Sequence, residues 1–148
     1  MKLAIGSDEK TSLTDFVVEE VQRRRHEVEL FGPLKGETLS WVQVGEEVAL
    51  SVSKGYCQEG ILFCWTGTGV TIAANKVLGV RAALCFDAKM AEGARKWNHA
   101  NILVMSLRLT SEPLASEILD AWFGTEWGRG EDAQDVARLM SMERKYLH

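Results

Sequence analysis

Residues 60–75 read GILFCWTGTGVTIAAN, and this stretch decides how the chain can fold. An apolar run, Gly60–Phe63, leads into Cys64, a turn of small residues follows, and apolar periodicity resumes at about Val70. This order predicts a buried strand, a glycine-rich turn and then a helix over about residues 70–77.

The same alternation of apolar strands and amphipathic helices runs through the rest of the chain. Strands are predicted at Lys2–Gly6, Glu27–Phe31, Gly60–Cys64, Val80–Leu84 and Asn101–Met105. Further helices are predicted at Ser12–Arg24, Trp41–Lys54, Ala88–Lys96, Ser111–Phe123 and Glu131–Tyr146, with a loop over Leu34–Ser40. Successive βα units of this kind predict an α/β fold, with a five-stranded parallel sheet and helices on both of its faces. We expect one domain over residues 1–148, with Gly124–Gly130 as a linker that lets the last helix swing away from the body.

Composition narrows the class of protein. The chain is 46% hydrophobic and 26% charged, and its net charge of −4 gives no support for nucleic-acid binding. No apolar run approaches the roughly 20 residues of a membrane span, and the first residues, MKLAIGSD, are too short and too quickly polar for a signal peptide. Cys57, Cys64 and Cys85 include no CxxC pair, which argues against disulfides or a zinc site. We therefore expect a cytoplasmic protein without metal or cofactor that binds a small molecule, with neither nucleic acid nor membrane as a partner.

Cys64 allows two interpretations. It could be an ordinary buried strand cysteine, as most isolated cysteines are. It could instead be a thiolate that acts as a base or nucleophile, because the start of a helix favours an anion. In that case Thr66 could donate a hydrogen bond to the thiolate or to a substrate. The glycines of the turn would let backbone N–H groups approach a ligand oxygen. The turn lacks the Walker ending and the GxGxxG spacing, so a nucleotide site is not indicated.

Two further polar groups lie near strand ends. Asp8 follows the first strand, and it is either a turn or capping carboxylate or a ligand for substrate hydroxyls. Residues 97–101, WNHAN, precede the fifth strand. Ligands of parallel sheets bind at the carboxyl ends of strands, so this group could act only in the site of a partner subunit. A flavodoxin-like phosphoacceptor or nucleotide-binding module is disfavoured, because the third strand ends in Cys64 where an aspartate is expected.

Four motifs together resemble the ribose-5-phosphate isomerase type B family, which also contains galactose-6-phosphate isomerase subunits. They are GSD at 6–8, GILFC-x-TGTG-x-x-IAANK at 60–76, GVRAALC at 79–85 and WNHAN-ILV-x-x-x-R at 97–108, within a match over about residues 1–125. The resemblance implies a three-layer Rossmann-like domain with a protruding C-terminal helix, at about residues 131–147, that packs on a partner subunit. It also implies a homodimer or tetramer with shared active sites, which interconverts an aldose and a ketose through an enediolate without a metal.

The resemblance also implies a role for each matching residue. Cys64 would be the base that moves a proton between C1 and C2 of the sugar, with Thr66 assisting it. The other implied substrate contacts are Asp8 for the hydroxyls, the backbone N–H groups of Gly67, Thr68, Gly69 and Val70 for the enediolate oxygen, Asn98 in the site of a partner subunit, and Arg108 for the phosphate.

The chain departs from the family at the positions that would bind the phosphate and open the sugar ring. The family has Ser-Asp-His near the start, where this chain has Ser-Asp-Glu, and we expect Glu9 to be a further substrate contact. The family's DYPDYA stretch is replaced by SWVQVG at residues 40–45. The ring-opening histidine is replaced by Trp97. His99, which lies where the family has aspartate, is a candidate catalytic residue, and whether it takes over ring opening stays open. The C-terminal arginines that bind phosphate correspond to residues 131–135, EDAQD.

These departures bear on the substrate, because a phosphate carries close to two negative charges and prefers bidentate arginine. Glu9, Glu131 and Asp135 would repel it. We therefore expect an aldose–ketose isomerase that acts on a different sugar phosphate or on an unphosphorylated sugar. The alternative is a catalytically weak homologue that binds a sugar or another metabolite.

Overall fold

In residues 1–147, the part of the chain that the computed structural model describes, five strands form one sheet in the order β2-β1-β3-β5-β4. The strands are β1 (Lys2–Ser7), β2 (Glu27–Phe31), β3 (Glu59–Cys64), β4 (Ala82–Leu84) and β5 (Ile102–Ser106). Every neighbouring pair is parallel. Parallel strands cannot be joined by a tight turn, so each connection crosses over through a helix.

The described residues also contain six α-helices. They are α1 (Ser12–Arg23), α2 (Trp41–Ser53), α3 (Thr68–Ala74), α4 (Ala88–Asn98), α5 (Glu112–Gly124) and α6 (Glu131–Tyr146), and a 3₁₀ turn (Gly32–Lys35) precedes α2. Four of these helices begin at a side-chain cap, because the first N–H groups of a helix lack intrahelical acceptors; the caps are Thr11, Ser40, Asp87 and Ser111. No helix within residues 1–147 is long and apolar enough to cross a membrane.

The three central strands separate two hydrophobic cores. Successive side chains of a strand point to opposite faces of the sheet. One core contains Leu3, Ile5, Ile61, Phe63, Leu103 and Met105 together with residues of α1, α4 and α5. The other contains Ala4, Leu62, Cys64, Ile102 and Val104 together with residues of α2 and α3. The predicted three-layer α/β architecture is therefore confirmed.

Strand β4 is shorter than predicted because side chains replace part of its strand pairing. The expected strand Val80–Leu84 begins only at Ala82. The N–H of Arg81 donates to the side-chain oxygen of Asn101 at 2.8 Å rather than to a neighbouring strand. The side chain of Asn75 accepts from the N–H of Ala82 at 2.8 Å and donates to its carbonyl at 2.9 Å.

Helix α3 begins and ends earlier than the predicted 70–77. It starts at Thr68, directly after Gly67 in the left-handed conformation, and its last helical residue is Ala74. Asn75 ends the helix because its side chain is bound to β4. The first turn of α3 therefore contains Thr68 and Gly69, the second half of the glycine-rich sequence.

The connection between α5 and α6 is attached to the body of the protein. The N–H of Gly128 donates to the carbonyl of Lys96 at 2.9 Å. The Gly128 carbonyl lies 2.8 Å from Nε2 of His99, and the ring of Trp127 stacks on that of His99 with centroids 4.8 Å apart. The expectation that Gly124–Gly130 is a swinging linker was wrong, because polar and aromatic contacts that its glycine content does not reveal hold it against the end of α4.

A buried ion pair connects the amino end of β3 to α4 and α5. Glu59 lies 3.0 Å from the guanidinium of Arg95 and accepts a hydrogen bond from Nε1 of Trp122 at 2.9 Å. Arg95 also donates to the carbonyl of Ala100 at 2.6 Å and lies over the Trp122 ring. The side chain of Arg95 is 12% exposed and that of Glu59 is 10% exposed. Removing one of them would therefore leave the other charge buried without its partner.

We predict that Arg95→Met lowers the free energy of unfolding by about 3–5 kcal/mol, because the Glu59 carboxylate stays buried without a countercharge. Glu59→Gln added to Arg95→Met should recover most of this loss, since glutamine is neutral and keeps an acceptor for Trp122. Urea unfolding of the wild type and both variants measures the effect. Equal losses in the single and double variants would contradict the prediction.

Candidate active site at the carboxyl edge of the sheet

Parallel pairing brings the carboxyl ends of β1, β3 and β5 side by side. Ser7 lies opposite Phe63, and Cys64 lies opposite Ser106. Asp8 and Glu9 therefore leave the sheet beside Cys64, and the segment that carries Arg108 leaves it on the other side. The fold gathers these predicted site residues at one edge, where ligands of parallel sheets bind.

Cys64 is a largely buried residue at the end of β3. It is 6% exposed and belongs to the core that β3 shares with α2 and α3, together with Val44 and Val70. Its carbonyl accepts a hydrogen bond from the N–H of Leu107 at 3.0 Å. The thiol can therefore react only with a group that enters the edge of the sheet, out of contact with most of the solvent.

The chain directly after Cys64 is fixed by the end of β5. The carbonyl of Trp65 accepts from the N–H of Arg108 and from the hydroxyl of Ser106, both at 2.9 Å. The side chain of Trp65, in contrast, is 59% exposed. The backbone around Cys64 and the predicted phosphate-binding Arg108 are thus held in a constant relative position, although sequence reasoning did not include Ser106 in the site.

The glycine-rich turn is shaped by Gly67. This residue is buried with φ +88°, and a Cβ at this position would lie 2.5 Å from Cδ1 of Leu84. Its carbonyl accepts from the hydroxyl of Thr71 at 2.7 Å. The N–H groups of Gly69 and Val70, in the first turn of α3, have no intrahelical acceptor and can bind an anionic oxygen.

Thr66 is an exposed residue whose hydroxyl lies 2.9 Å from that of Thr68. It also accepts weakly from the Thr68 N–H at 3.4 Å. These contacts orient Thr66 within the turn, whereas its predicted hydrogen bond to the thiol of Cys64 is not among them. A contact between Thr66 and substrate stays a prediction.

Two tryptophans flank the glycine-rich turn. The indole of Trp41, the first residue of α2, covers Gly69 so closely that a Cβ there would lie 2.9 Å from Cε3 of the indole. Trp41 is 44% exposed, and Trp65 precedes the turn with its own indole in solvent. Sequence reasoning missed both residues as site components, although the changed stretch at residues 40–45 was a signal for Trp41.

The turn after β1 places two carboxylates at the same edge. The Ser7 hydroxyl donates to the carbonyl of Glu9 at 2.6 Å and accepts from its N–H at 3.1 Å. Burial raises the pKa of Asp8, a backbone hydrogen bond opposes the rise, and the like charge of Glu9 adds to it. Asp8 and Glu9 give this side of the site acceptors for hydroxyl groups and a charge that disfavours anions.

Asn98 and His99 lie at the opposite edge of the sheet, as predicted from their place before β5. Asn98 is exposed and lines an open, largely apolar cleft of ≈ 450 Å³ between β4 and α6. His99 has a left-handed backbone with φ +48°, and its ring is engaged by Gly128 and Trp127. Within one chain neither residue can join Cys64, and the catalytic role of His99 stays a prediction.

The sequence matches a known family along most of its length. Residues 3–139 match the family model described as Ribose/Galactose Isomerase. Ribose-5-P isomerase B of Listeria innocua is 34% identical over 146 residues, which cover 98% of this chain and 99% of that protein. D-erythrulose-4-phosphate isomerase of Pectobacterium atrosepticum is 33% identical over 153 residues, which cover 100% of this chain and 99% of that protein.

Solved structures show the same fold. The structure of ribose-5-phosphate isomerase B from Clostridium thermocellum superimposes with a TM-score of 0.92 at 39% identity, covering 99% of both chains. That of ribose-5-phosphate isomerase B from Mycoplasma genitalium with bound ribulose-5-phosphate has a TM-score of 0.90 at 29% identity and covers 97% of each chain. The strand order and the layers described above are therefore shared with these proteins.

We predict that Gly67→Ala lowers the free energy of unfolding more than Gly36→Ala does. Both glycines have a left-handed backbone, which costs an alanine about 1–2 kcal/mol, but a Cβ at Gly36 meets nothing within 4 Å. The clash of the new methyl group at position 67 with Leu84 adds an overpacking cost of about 1–3 kcal/mol. Urea unfolding of both variants separates backbone strain from the clash, and equal losses would show that the turn is not closely packed on β4.

Proposed function

The chain belongs to the Ribose/Galactose Isomerase family, and on this premise we propose that it interconverts an aldose and a ketose. The proposed reaction moves a proton between C1 and C2 of the sugar. The observation that supports it best is the position of Cys64, a largely buried thiol between the acidic turn after β1 and the N–H groups at the start of α3.

In the proposed mechanism the Cys64 thiolate removes the proton from the carbon next to the carbonyl. The carbonyl oxygen becomes the enediolate oxygen, and the N–H groups of residues 67–70 stabilise its charge, while Thr66 assists. The thiol then returns the proton to the former carbonyl carbon. The hydroxyl proton of the adjacent carbon passes to the enediolate oxygen, and that adjacent carbon becomes the new carbonyl. Hydrogen-bond donors fixed in advance in a poorly solvated site are effective for such a charge, and the loss of one typically costs about 3 kcal/mol of transition-state stabilisation.

The proposed substrate contacts come from both edges of the sheet. Asp8 and Glu9 accept hydrogen bonds from the sugar hydroxyls, and Arg108 binds the far end of the sugar. Asn98 completes the site from a partner subunit, since it lies at the amino edge of its own sheet. His99 is the candidate catalytic histidine, and its Nε2 lies 2.8 Å from the carbonyl oxygen of Gly128.

A site completed by a partner subunit requires at least a homodimer. The homodimer, a tetramer and a cytoplasmic location all stay predictions. The cleft beside Asn98 is lined by Leu139, Met142 and Tyr146 of α6, all of them exposed apolar side chains. A partner subunit that covered them would remove apolar surface from water. The contact would also bring Asn98 close to the second subunit.

The charges of the site support a substrate without phosphate. Glu131 and Asp135 lie exposed at the start of α6, where the family resemblance places the phosphate-binding arginines, and the carboxylate of Asp135 lies 3.6 Å from Arg138. The exposed indoles of Trp41 and Trp65 instead offer flat apolar surface. The relatives are named for sugar phosphates. We propose that this chain uses the same proton transfer on an unphosphorylated sugar.

We predict that Cys64→Ala lowers the turnover rate by at least about 10²-fold, the usual contribution of a general base. Cys85→Ala is the matched control, because Cys85 is also buried at a strand end but faces the other core, and burial raises its pKa to about 12. Deuterium incorporation from solvent at C1 or C2 measures proton transfer in both variants. Near-normal exchange in Cys64→Ala would remove Cys64 from the mechanism.

The same experiment on the wild type decides between an isomerase and a binding protein. An isomerase washes solvent deuterium into the sugar, whereas a binder does not. Binding of a sugar without any exchange would support the alternative of a catalytically weak homologue.

We predict that the wild type has a higher kcat/KM for an unphosphorylated aldose such as ribose than for ribose 5-phosphate. The double variant Glu131→Arg/Asp135→Arg should raise kcat/KM for ribose 5-phosphate by about tenfold or more, because hydrogen bonds to a charged group contribute about 1.5–3 kcal/mol. Glu112→Arg/Glu117→Arg, which makes the same charge change over the first turns of α5, is the control. Efficient wild-type turnover of ribose 5-phosphate, at the level of the relatives, would refute the loss of the phosphate site.

A further inference from the structure

Four side chains that the proposed reaction does not use form a cluster around Trp127. The rings of Trp127 and His99 are parallel within 4°, with centroids 4.8 Å apart. The guanidinium carbons of Arg81 and Arg95 lie 5.4 Å and 5.6 Å from the centroid of Trp127. Cations over an indole are attracted by its negative face, so the tryptophan joins α4, the start of β4 and the connection to α6. We call Trp127, His99, Arg81 and Arg95 the Trp127 cluster.

His99 is held in this cluster through its ring and its backbone. Because a carbonyl can only accept a hydrogen bond, Nε2 of His99 carries the proton that it shares with Gly128 at 2.8 Å. The carbonyl of His99 accepts from Nε of Arg81 at 2.8 Å. Its left-handed backbone, with φ +48°, is uncommon for a residue with a side chain and persists where surrounding contacts determine it.

Arg81 extends the same cluster to α6. Its guanidinium donates to the carbonyl of Gly79 at 3.4 Å and lies 3.3 Å from the sulfur of Met140. The N–H of Gly79 in turn donates to the carboxylate of Glu143 at 2.9 Å. Helix α6 is thus attached near its middle as well as at its start, and both attachments lead to the backbone that follows Asn98.

We propose that the Trp127 cluster positions Asn98 for its contact with substrate and that His99 acts in it as a positioning residue. This inference rests on the proposed function, in which Asn98 completes a site. The contacts fix the residue next to Asn98 at its ring, its carbonyl and its backbone conformation. A general acid must release its proton to the sugar, whereas the Nε2 proton of His99 is bound to Gly128.

Kinetics of Trp127 variants test the positioning role. Trp127→Ala should raise KM for the aldose by about tenfold with a much smaller change in kcat, because a binding contact is displaced while the base stays in place. Trp127→Phe keeps an aromatic ring on His99 and should restore most of the affinity. An unchanged KM in Trp127→Ala would overturn the proposal.

His99→Asn separates positioning from acid catalysis. Asparagine tolerates the left-handed backbone but has no ring to stack and no comparable proton to give. If His99 positions Asn98, this variant raises KM as Trp127→Ala does. The double variant Trp127→Ala/His99→Asn then has a KM no higher than that of either single variant. Both limbs of the pH profile of kcat/KM persist. Loss of one limb in His99→Asn, with the limb retained in Trp127→Ala, would overturn the proposal.

Hydrogen exchange provides a readout that needs no activity. Trp127→Ala should accelerate exchange of the amides of Gly128 and Asn101, which donate to Lys96 and Arg81, and should leave the amides of β3 unchanged. Tyr56→Ala, which removes a distant aromatic side chain that is 67% exposed, is the control. Unchanged exchange at Gly128 would overturn the proposal, whereas a wild type without isomerase activity would refute only the proposed function.

Discussion

The rest of the structure depends on the burial of β3 on both faces and its pairing on both edges. A strand without access to water must satisfy every backbone group in the sheet, and parallel pairing with β1 and β5 does this in one register. That register fixes the two ends of β3 at the same time. Glu59 at the amino end meets Arg95 and Trp122, and Cys64 at the carboxyl end meets the turn after β1. The buried ion pair and the proposed base therefore lie at opposite ends of one strand.

Much of the fold could be predicted because its signals are local. Apolar periodicity, capping residues and glycines indicate where elements begin and end, and the alternation of strands and helices implies the parallel sheet. The predicted element boundaries were wrong where a side chain distant in sequence determines the hydrogen bonding of the backbone. The side chain of Asn101 takes the N–H of Arg81, one residue before β4, and Trp127 holds a glycine-rich segment that resembles a linker. Such contacts join residues far apart in sequence and leave no periodic pattern.

The candidate site also has one part that the sequence predicts and one part that it does not. The carboxyl edge, with Cys64 and the turn behind it, follows from the order of strands, so the sequence was enough to place it. The exposed indoles of Trp41 and Trp65 and the support from Ser106 depend on packing between elements. A strand-end motif therefore predicts where the proposed proton transfer would take place, but it does not predict the side chains that surround this position.

The acidic start of α6 connects substrate choice to stability. The amino end of a helix carries a partial positive charge, so Glu131 and Asp132 are favourable there, whereas arginines are unfavourable unless an anion is bound. These carboxylates stabilise the start of the helix without a bound anion, and the contacts of Trp127 and Arg81 also hold the helix in place. The acidic start of α6 is therefore consistent with the proposal that this helix supports the site and does not bind a phosphate of the substrate.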